Sequence, residues 1–261
     1  MEMLKISAVI ITKDEEKRII PTLQSLHWVD EIVVVDAHSQ DRTRELCRKY
    51  TDKVYVREWN GYVEQKNYAL QFASHDWVLS LDADERVSEE LRMEIEELRR
   101  RGQDCDGYYI PRKVFYLGRW IKHCGWYPDY KMRLFRKSRA RWVGGSVHES
   151  CQVEGKVGYL RSPLLHFTYR NITEHLSRNN LYAKLSAQDK FRQGERAGIV
   201  KMVFFPMATF IKTYFIKLGF LEGVAGLIIS VLSATYVFLK YAKLWDMRRR
   251  EKEGKTSPGI K

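Results

Sequence analysis

The first hundred residues alternate two hydrophobic rhythms. Short apolar runs at Ile6–Thr12, Glu31–Asp36, Lys53–Arg57 and Trp77–Leu81 are largely β-branched and bounded by polar residues, which predicts buried parallel strands. Between them, Glu15–Trp28, Arg42–Tyr50 and Tyr62–Ala73 read as helices, with Pro21 near the opening turn of the first, where it is tolerated. Ser88 is placed to cap a further helix. Glu89 and Glu90 fall in its first turn, Arg99, Arg100 and Arg101 in its last, and Gly102 stops it, so the charges complement the helix dipole at both ends. Four strand–helix units in series predict an α/β fold: an open, mostly parallel sheet flanked by helices, with right-handed crossovers.

From Gly107 the texture changes to a stretch dense in aromatics and arginines, expected to be extended and to cover the carboxyl edge of the sheet. A polar helix over Ile172–Gln193 follows, and then an apolar tail. Within it Gly223–Leu239 runs seventeen residues without a charge, short of the ~20 needed to span a bilayer. The preceding Met202–Leu221 is apolar but carries Lys212 and Lys217. Two helices lying in one leaflet, or a hairpin dipping into it, fit better than a full span. The flanking "KYAKLWDMRRREKEGK" suits contact with anionic head groups. The plain alternative is a buried dimerisation hairpin in a homo-oligomer. The expected divisions are a catalytic domain at 1–170, a helical connector at 171–200, membrane-associated helices at 201–246 and a basic tail at 247–261.

Composition narrows the partners. In 261 residues, 44% hydrophobic and 13% aromatic content suits a packed globule rather than disorder. Lys+Arg 45 against Asp+Glu 33 gives +12, which points to a polyanionic partner or an anionic membrane face. Zinc-finger, aromatic RNA-binding and arginine-rich signatures are all missing from the sequence, so no nucleic-acid partner is expected. The four cysteines are scattered with no Cys-x-x-Cys pair, which argues against a zinc site and for reduced thiols. The start "MEMLKISAVIITKDE" does not read as a secretory signal. The expected location is the cytoplasmic face of the inner membrane.

The stretch "SLDADERVS", Ser80–Ser88, sets three acidic side chains in four positions at the end of an apolar strand. Crowded carboxylates need a compensating partner. Ligands of open parallel sheets bind at the carboxyl ends of the strands, and "ITKDEE", "VVVDAHSQDRT" and "LSLDADE" would bring Thr12, Lys13, Asp36, Asp82 and Asp84 to one such edge. Mg²⁺ or Mn²⁺ takes oxygen ligands and shares them with diphosphates, so a metal holding a nucleotide diphosphate is the expected partner. An EF-hand beginning at Asp82 fails, because Val87 and Met93 stand where Gly and Glu are required. A plain solvated turn is the remaining alternative.

These pieces, "AVIITKDEE", "DEIVVVDAHSQDRT", "GYVEQKNYAL" and "DWVLSLDADE" in order, resemble the family 2 glycosyltransferases of the GT-A fold. "GWYPDYKMRLFR", "VHES" and "LLHFTYR" look like the subgroup containing the lipopolysaccharide core β-glucosyltransferases. The likeness covers about residues 4–180; "VDAHSQD" departs from it, since the family more often has Gly or Ser near His38. The resemblance implies that Thr12, Lys13 and Asp36 line the base and ribose, that Lys66 lies near the base, and that Asp82 contacts the ribose or the metal's waters. It further implies Asp84 as a metal ligand between the two phosphates, with His166 as the late histidine completing the site.

An inverting transfer needs a carboxylate to take the acceptor's proton. Glu149, beyond the donor half and beside His148, is favoured over Asp129 as that base; an ion pair with a nearby arginine is its structural alternative. Arg112, Arg119, Trp126 and Arg133 would suit a phosphorylated, lipid-linked acceptor. The expected reaction moves a hexose from a UDP-sugar, glucose first, onto lipopolysaccharide inner core; a polyprenyl-phosphate-linked oligosaccharide is the alternative acceptor. A sugar nucleotidyltransferase would need a glycine-rich loop that "IITKDEEKR" lacks. A non-catalytic nucleotide-sugar-binding module is the rival from another class.

Overall fold

The computed structural model describes residues 4–145 and 149–254; His148 lies outside the described residues, as do residues 255–261 of the basic tail. The chain opens with β1 (Ile6–Thr12), α1 (Ile19–Gln24), β2 (Glu31–Asp36), α2 (Thr43–Cys47), β3 (Val54–Val56), α3 (Tyr62–Leu70) and β4 (Trp77–Asp82). A short β5 (Glu85–Val87) and α4 (Glu89–Arg101) follow. Next come β6 (Gly107–Tyr116), β7 (Arg119–Trp120), β8 (Asp129–Arg136), β9 (Ala140–Gly144), β10 (Glu149–Val153), β11 (Val157–Tyr159) and β12 (Leu164–His166). The chain then enters α5 (Ile172–Arg192), α6 (Ile199–Ile211) and α7 (Gly223–Lys252). It divides into two compact units, Met1–Phe115 with Pro128–Thr168, and Tyr116–Tyr127 with Tyr169–Lys261.

In the first unit the main sheet runs β3-β2-β1-β4-β8-β6-β12-β5. The first four strands are parallel, as their apolar runs predict. Every residue of β1 is buried. Ile6, Ala8 and Ile10 pack into one core cluster and Val9 and Ile11 into another, because alternate side chains point to opposite faces and both faces are covered. Register sets Thr12 beside Asp36 and Ile11 beside Asp82, so three strand ends finish level.

Two expectations are corrected. The stretch after Gly107 does not lie over the carboxyl edge: β8 pairs antiparallel with β4, and β6 with β8. The reason is burial. Tyr108, Ile110, Met132, Leu134 and Phe135 all join the two core clusters, which makes these strands sheet, not cover. The first helix is also much shorter than Glu15–Trp28. Beyond Gln24, Ser25 Oγ donates to the Thr22 carbonyl (2.7 Å) and Trp28 Nε1 to the Ser25 carbonyl (2.9 Å), side-chain bonds of the kind that compete with helix continuation. Pro21 is the third residue of α1, where its missing N–H is one the helix does not use.

In the second unit α7 is a continuous helix of 30 residues, running well past Leu239. The stretches Ile199–Ile216 and Gly219–Lys252 are both long and apolar enough to cross a membrane, by length and composition only. The turn between them is tight: a Cβ on Gly226 would meet the Gly219 carbonyl oxygen at 1.8 Å. Buried Glu222 braces it, accepting from the backbone amides of Lys122 (2.8 Å) and His123 (3.0 Å).

Ser88 caps α4 as its sequence implies, its hydroxyl accepting from the Leu91 amide at 3.1 Å. Ser88→Ala should lower unfolding free energy by about 1 kcal/mol, measured by urea denaturation with an unchanged m-value; an unaltered midpoint would remove the cap from the account.

Candidate active site

The acidic stretch folds as a tight turn between two strands that do not pair with each other. β4 ends at Asp82, Ala83 and Asp84 turn the chain, and β5 starts at Glu85. β12 pairs antiparallel with β5, setting His166 opposite Glu85, and the Phe167 amide donates to the Asp84 carbonyl at 2.9 Å. Strand pairing therefore brings a histidine 82 positions away to the turn. His166 Nε2 lies 3.4 Å from Asp84 Oδ1.

The acids are compensated unequally. Asp82 lies 3.0 Å from Lys66 Nζ, 2.5 Å from Arg133 Nη2 and 4.0 Å from Arg112 Nη1. Fully buried Glu85 accepts from Arg133 Nη2 (2.6 Å), Arg112 Nη1 (3.2 Å) and the Asp82 amide (3.0 Å). Arg112 also binds Asp129 through Nη2 (2.5 Å) and Nε (3.0 Å), and Lys131 Nζ is 3.2 Å from the other Asp129 oxygen. Glu149 closes the far end, with Oε1 3.3 Å from Lys66 Nζ. Lys66, buried on α3, also lies 4.4 Å from the centroid of the Trp142 ring. Burial opposes the charge on Asp82, yet Arg133, Lys66 and Arg112 hold its carboxyl well below the usual carboxylate range. Burial likewise opposes the charge on Asp129, but Arg112 and Lys131 hold it low.

At the neighbouring strand ends, buried Asp36 accepts from the Ser39 amide (2.8 Å) and hydroxyl (2.5 Å), which fixes the loop after β2. Thr12 is buried with its hydroxyl unbonded, and both amide atoms of buried Gln65 lack partners; such atoms in a site call for a ligand or water. Lys13 is exposed just past β1. Of the acceptor-side residues, Arg112 and Arg133 are inside the ion network, Arg133 only 3% exposed. Arg119 and Trp126 belong to the second unit, where Arg119 Nη2 is 3.3 Å from Glu222 and Trp126 packs on Tyr116.

Asp84 and His166 fit a hard divalent cation as a partial donor set. One carboxylate and one imidazole suit Mn²⁺ or Mg²⁺ chemistry, and His166 Nδ1 is buried without a hydrogen-bond partner. Among the described residues no group of three or more His, Cys, Asp or Glu could hold a metal, so remaining ligands would come from phosphate and water. Thiolates are not candidates, since burial pushes Cys47 and Cys151 up to about 12.

Glu85, Gln65 and Trp142 were missed in the sequence. Glu85 was visible as the third acid of "DADE", but nothing in that spacing marks it as the one that turns inward beneath two arginines. The network sets an acid response. Asp82 and Asp129 titrate low when folded, so their contribution is complete above the ordinary aspartate value of about 3.9 and is lost as pH falls below it. Arg133→Met should lower stability at neutral pH by about 3 kcal/mol and flatten the acid-side loss in a pH series of chemical denaturation; an unchanged acid limb would contradict the assignment.

Residues 7–164 match the sequence profile described as "Glycosyl transferase family 2". The chain is 32% identical over 255 residues, 93% of each sequence, to the lipopolysaccharide core biosynthesis glycosyltransferase LpsC of Rhizobium meliloti (strain 1021). It is also 32% identical over 257 residues, covering 94% of this chain and 88% of the relative, to an uncharacterized glycosyltransferase of Rickettsia typhi. In fold it is similar to a mannosyltransferase of Pyrobaculum calidifontis solved with GDP-mannose and Mn²⁺, with a TM-score of 0.53, 13% identity, and coverage of 94% and 88%. The sheet with its level carboxyl edge is of GT-A type, and the chain belongs to glycosyl transferase family 2.

Proposed function

We propose that this glycosyltransferase moves a hexose, glucose from UDP-glucose in the first instance, onto a lipid-linked glycan such as lipopolysaccharide inner core. The reaction is read as inverting and dependent on Mg²⁺ or Mn²⁺. Likeness to the core biosynthesis enzyme supports the acceptor class, and the apolar helices support membrane association; the cytoplasmic face is part of the proposal. The observation that carries the mechanism is the different treatment of two carboxylates. Asp129 is gripped by Arg112 and Lys131 and held low, which makes it a poor proton acceptor. Among the described residues Glu149 has one cation recorded beside it, Lys66 at 3.3 Å, itself shared with Asp82.

In this reading Thr12, Lys13, Asp36 and Lys66 line the base and ribose, and Gln65 supplies an amide there. Asp82, fixed by its three cations, orients the ribose, while Asp84 and His166 hold the metal. Bound there, the metal would neutralise charge on the departing diphosphate. Glu149 takes the acceptor hydroxyl's proton as the oxygen–carbon bond forms and the sugar–phosphate bond breaks, releasing UDP. Lys66, 3.3 Å away, orients Glu149 until then.

Glu149→Gln should lower kcat by about 10²–10³-fold with donor KM little changed, measured with a panel of UDP-sugars and Mn²⁺. Asp129→Asn should cost activity mainly through stability. Full turnover by the Glu149 variant would overturn the assignment, and indifference to every UDP-sugar would overturn the donor class.

A further inference from the structure

The helices of the second unit carry a feature that membrane contact alone does not require. α6 has no buried residue, and Phe204, Met207, Val224 and Val231 are all exposed. Between α6 and α7 runs a groove of about 430 Å³ whose walls include Pro206, Met207 and Phe210 on one side and Val231, Ala234 and Phe238 on the other. The volume falls in the range of small-ligand sites. Its one side-chain polar group is already satisfied, since Thr235 Oγ1 donates to the Val231 carbonyl at 2.9 Å. Pro206, inside α6, has no N–H for the carbonyl four residues earlier, which loosens the helix at the groove's wall.

The groove has a charged end. One turn beyond Phe238 stands Tyr241, packed edge-on against Phe205 with ring centroids 5.4 Å apart. Lys240 and Lys201 converge on its ring, their Nζ atoms 4.9 Å and 5.8 Å from the centroid. Lys190 and Lys201 share the single carboxylate of Glu195, at 2.6 Å and 3.7 Å. An apolar trough ending in excess ammonium charge complements a molecule with a hydrocarbon chain and an anionic head.

We propose that this groove seats one acyl chain of an anionic phospholipid, with the head-group phosphate at Lys240 and Lys201. The proposal rests on the membrane reading above and sharpens it, from a surface that touches lipid to a site that selects one. The bound lipid would then fix the rotation of α6 and α7 in the leaflet.

The test uses the full chain and phosphatidylcholine vesicles doped with phosphatidylglycerol carrying a photoreactive group on one acyl chain. Flotation reports membrane binding, and peptide mapping of the photo-adduct reports the site. Adducts should concentrate in residues 206–211 and 231–238. Met207→Trp, a change at an exposed rim position, should cut that labelling about tenfold while flotation persists. Ala234→Trp should do the same from the opposite wall. Lys240→Glu should lower labelling by the phosphatidylglycerol probe but not by a photoreactive phosphatidylcholine. Floating protein labelled evenly along α6 and α7, or labelling indifferent to both tryptophans, would overturn the groove and leave membrane binding standing. Adducts joining two copies through the groove would assign it to a second chain and overturn the proposal. Wild-type protein that fails to float would defeat the membrane reading together with it.

Discussion

The ion network beneath the β4–β5 turn is the constraint on which the site depends. Asp82 ends the central strand β4 and Glu85 begins β5 at the sheet's end, yet both face Arg133, with Lys66 and Arg112 completing the compensation. Coulomb attraction at such depth largely repays desolvation and little more, so the network is better understood as a device for holding geometry than as a source of stability. It ties α3, β4, β5, β6 and β8 to one point. Around it stand the two carboxylates to which the proposal gives chemical roles: Asp84, 3.4 Å from His166, and Glu149, 3.3 Å from Lys66.

How much of this was legible in the sequence follows from what kind of information each feature needs. The β1 to β4 strands and the α4 cap are local, written in β-branched runs and in Ser88 and Gly102, and their bounds agree closely with the structure. Thr12, Asp36 and Asp82 could be brought to one edge from parallel topology alone. The pairing of the acids could not. The sequence pointed to a metal beside Asp82 and Asp84; it did not point to the three protein cations that Asp82 meets, contributed from 16, 30 and 51 positions away. Only strand register, unknown from one sequence, could say that β6 and β8 deliver Arg112 and Arg133 there. The same gap misplaced residues 107–142 over the edge of the sheet.

The apolar tail was legible in kind but not in extent. Counting uncharged residues stopped at Leu239, yet the helix continues through Lys240 and Lys243 to Lys252, because lysines whose stems lie along apolar surface and aromatic rings do not interrupt a helix. A basic, aromatic helix end after an apolar stretch suits the head-group level of a bilayer. This matches a glycosyltransferase whose proposed acceptor is held in a membrane.

The central claim is the proposed division of labour in which the protein's own cations meet Asp82 and Glu85, while Asp84 with His166 shares a divalent ion with the donor's diphosphate. Calorimetric titration of UDP, with and without Mn²⁺, into wild type and Asp84→Asn tests it most directly. The account predicts that Mn²⁺ strengthens UDP binding to the wild type and that this gain disappears in Asp84→Asn while metal-free binding is retained. An Asp84→Asn protein that keeps the full Mn²⁺-dependent gain would contradict it.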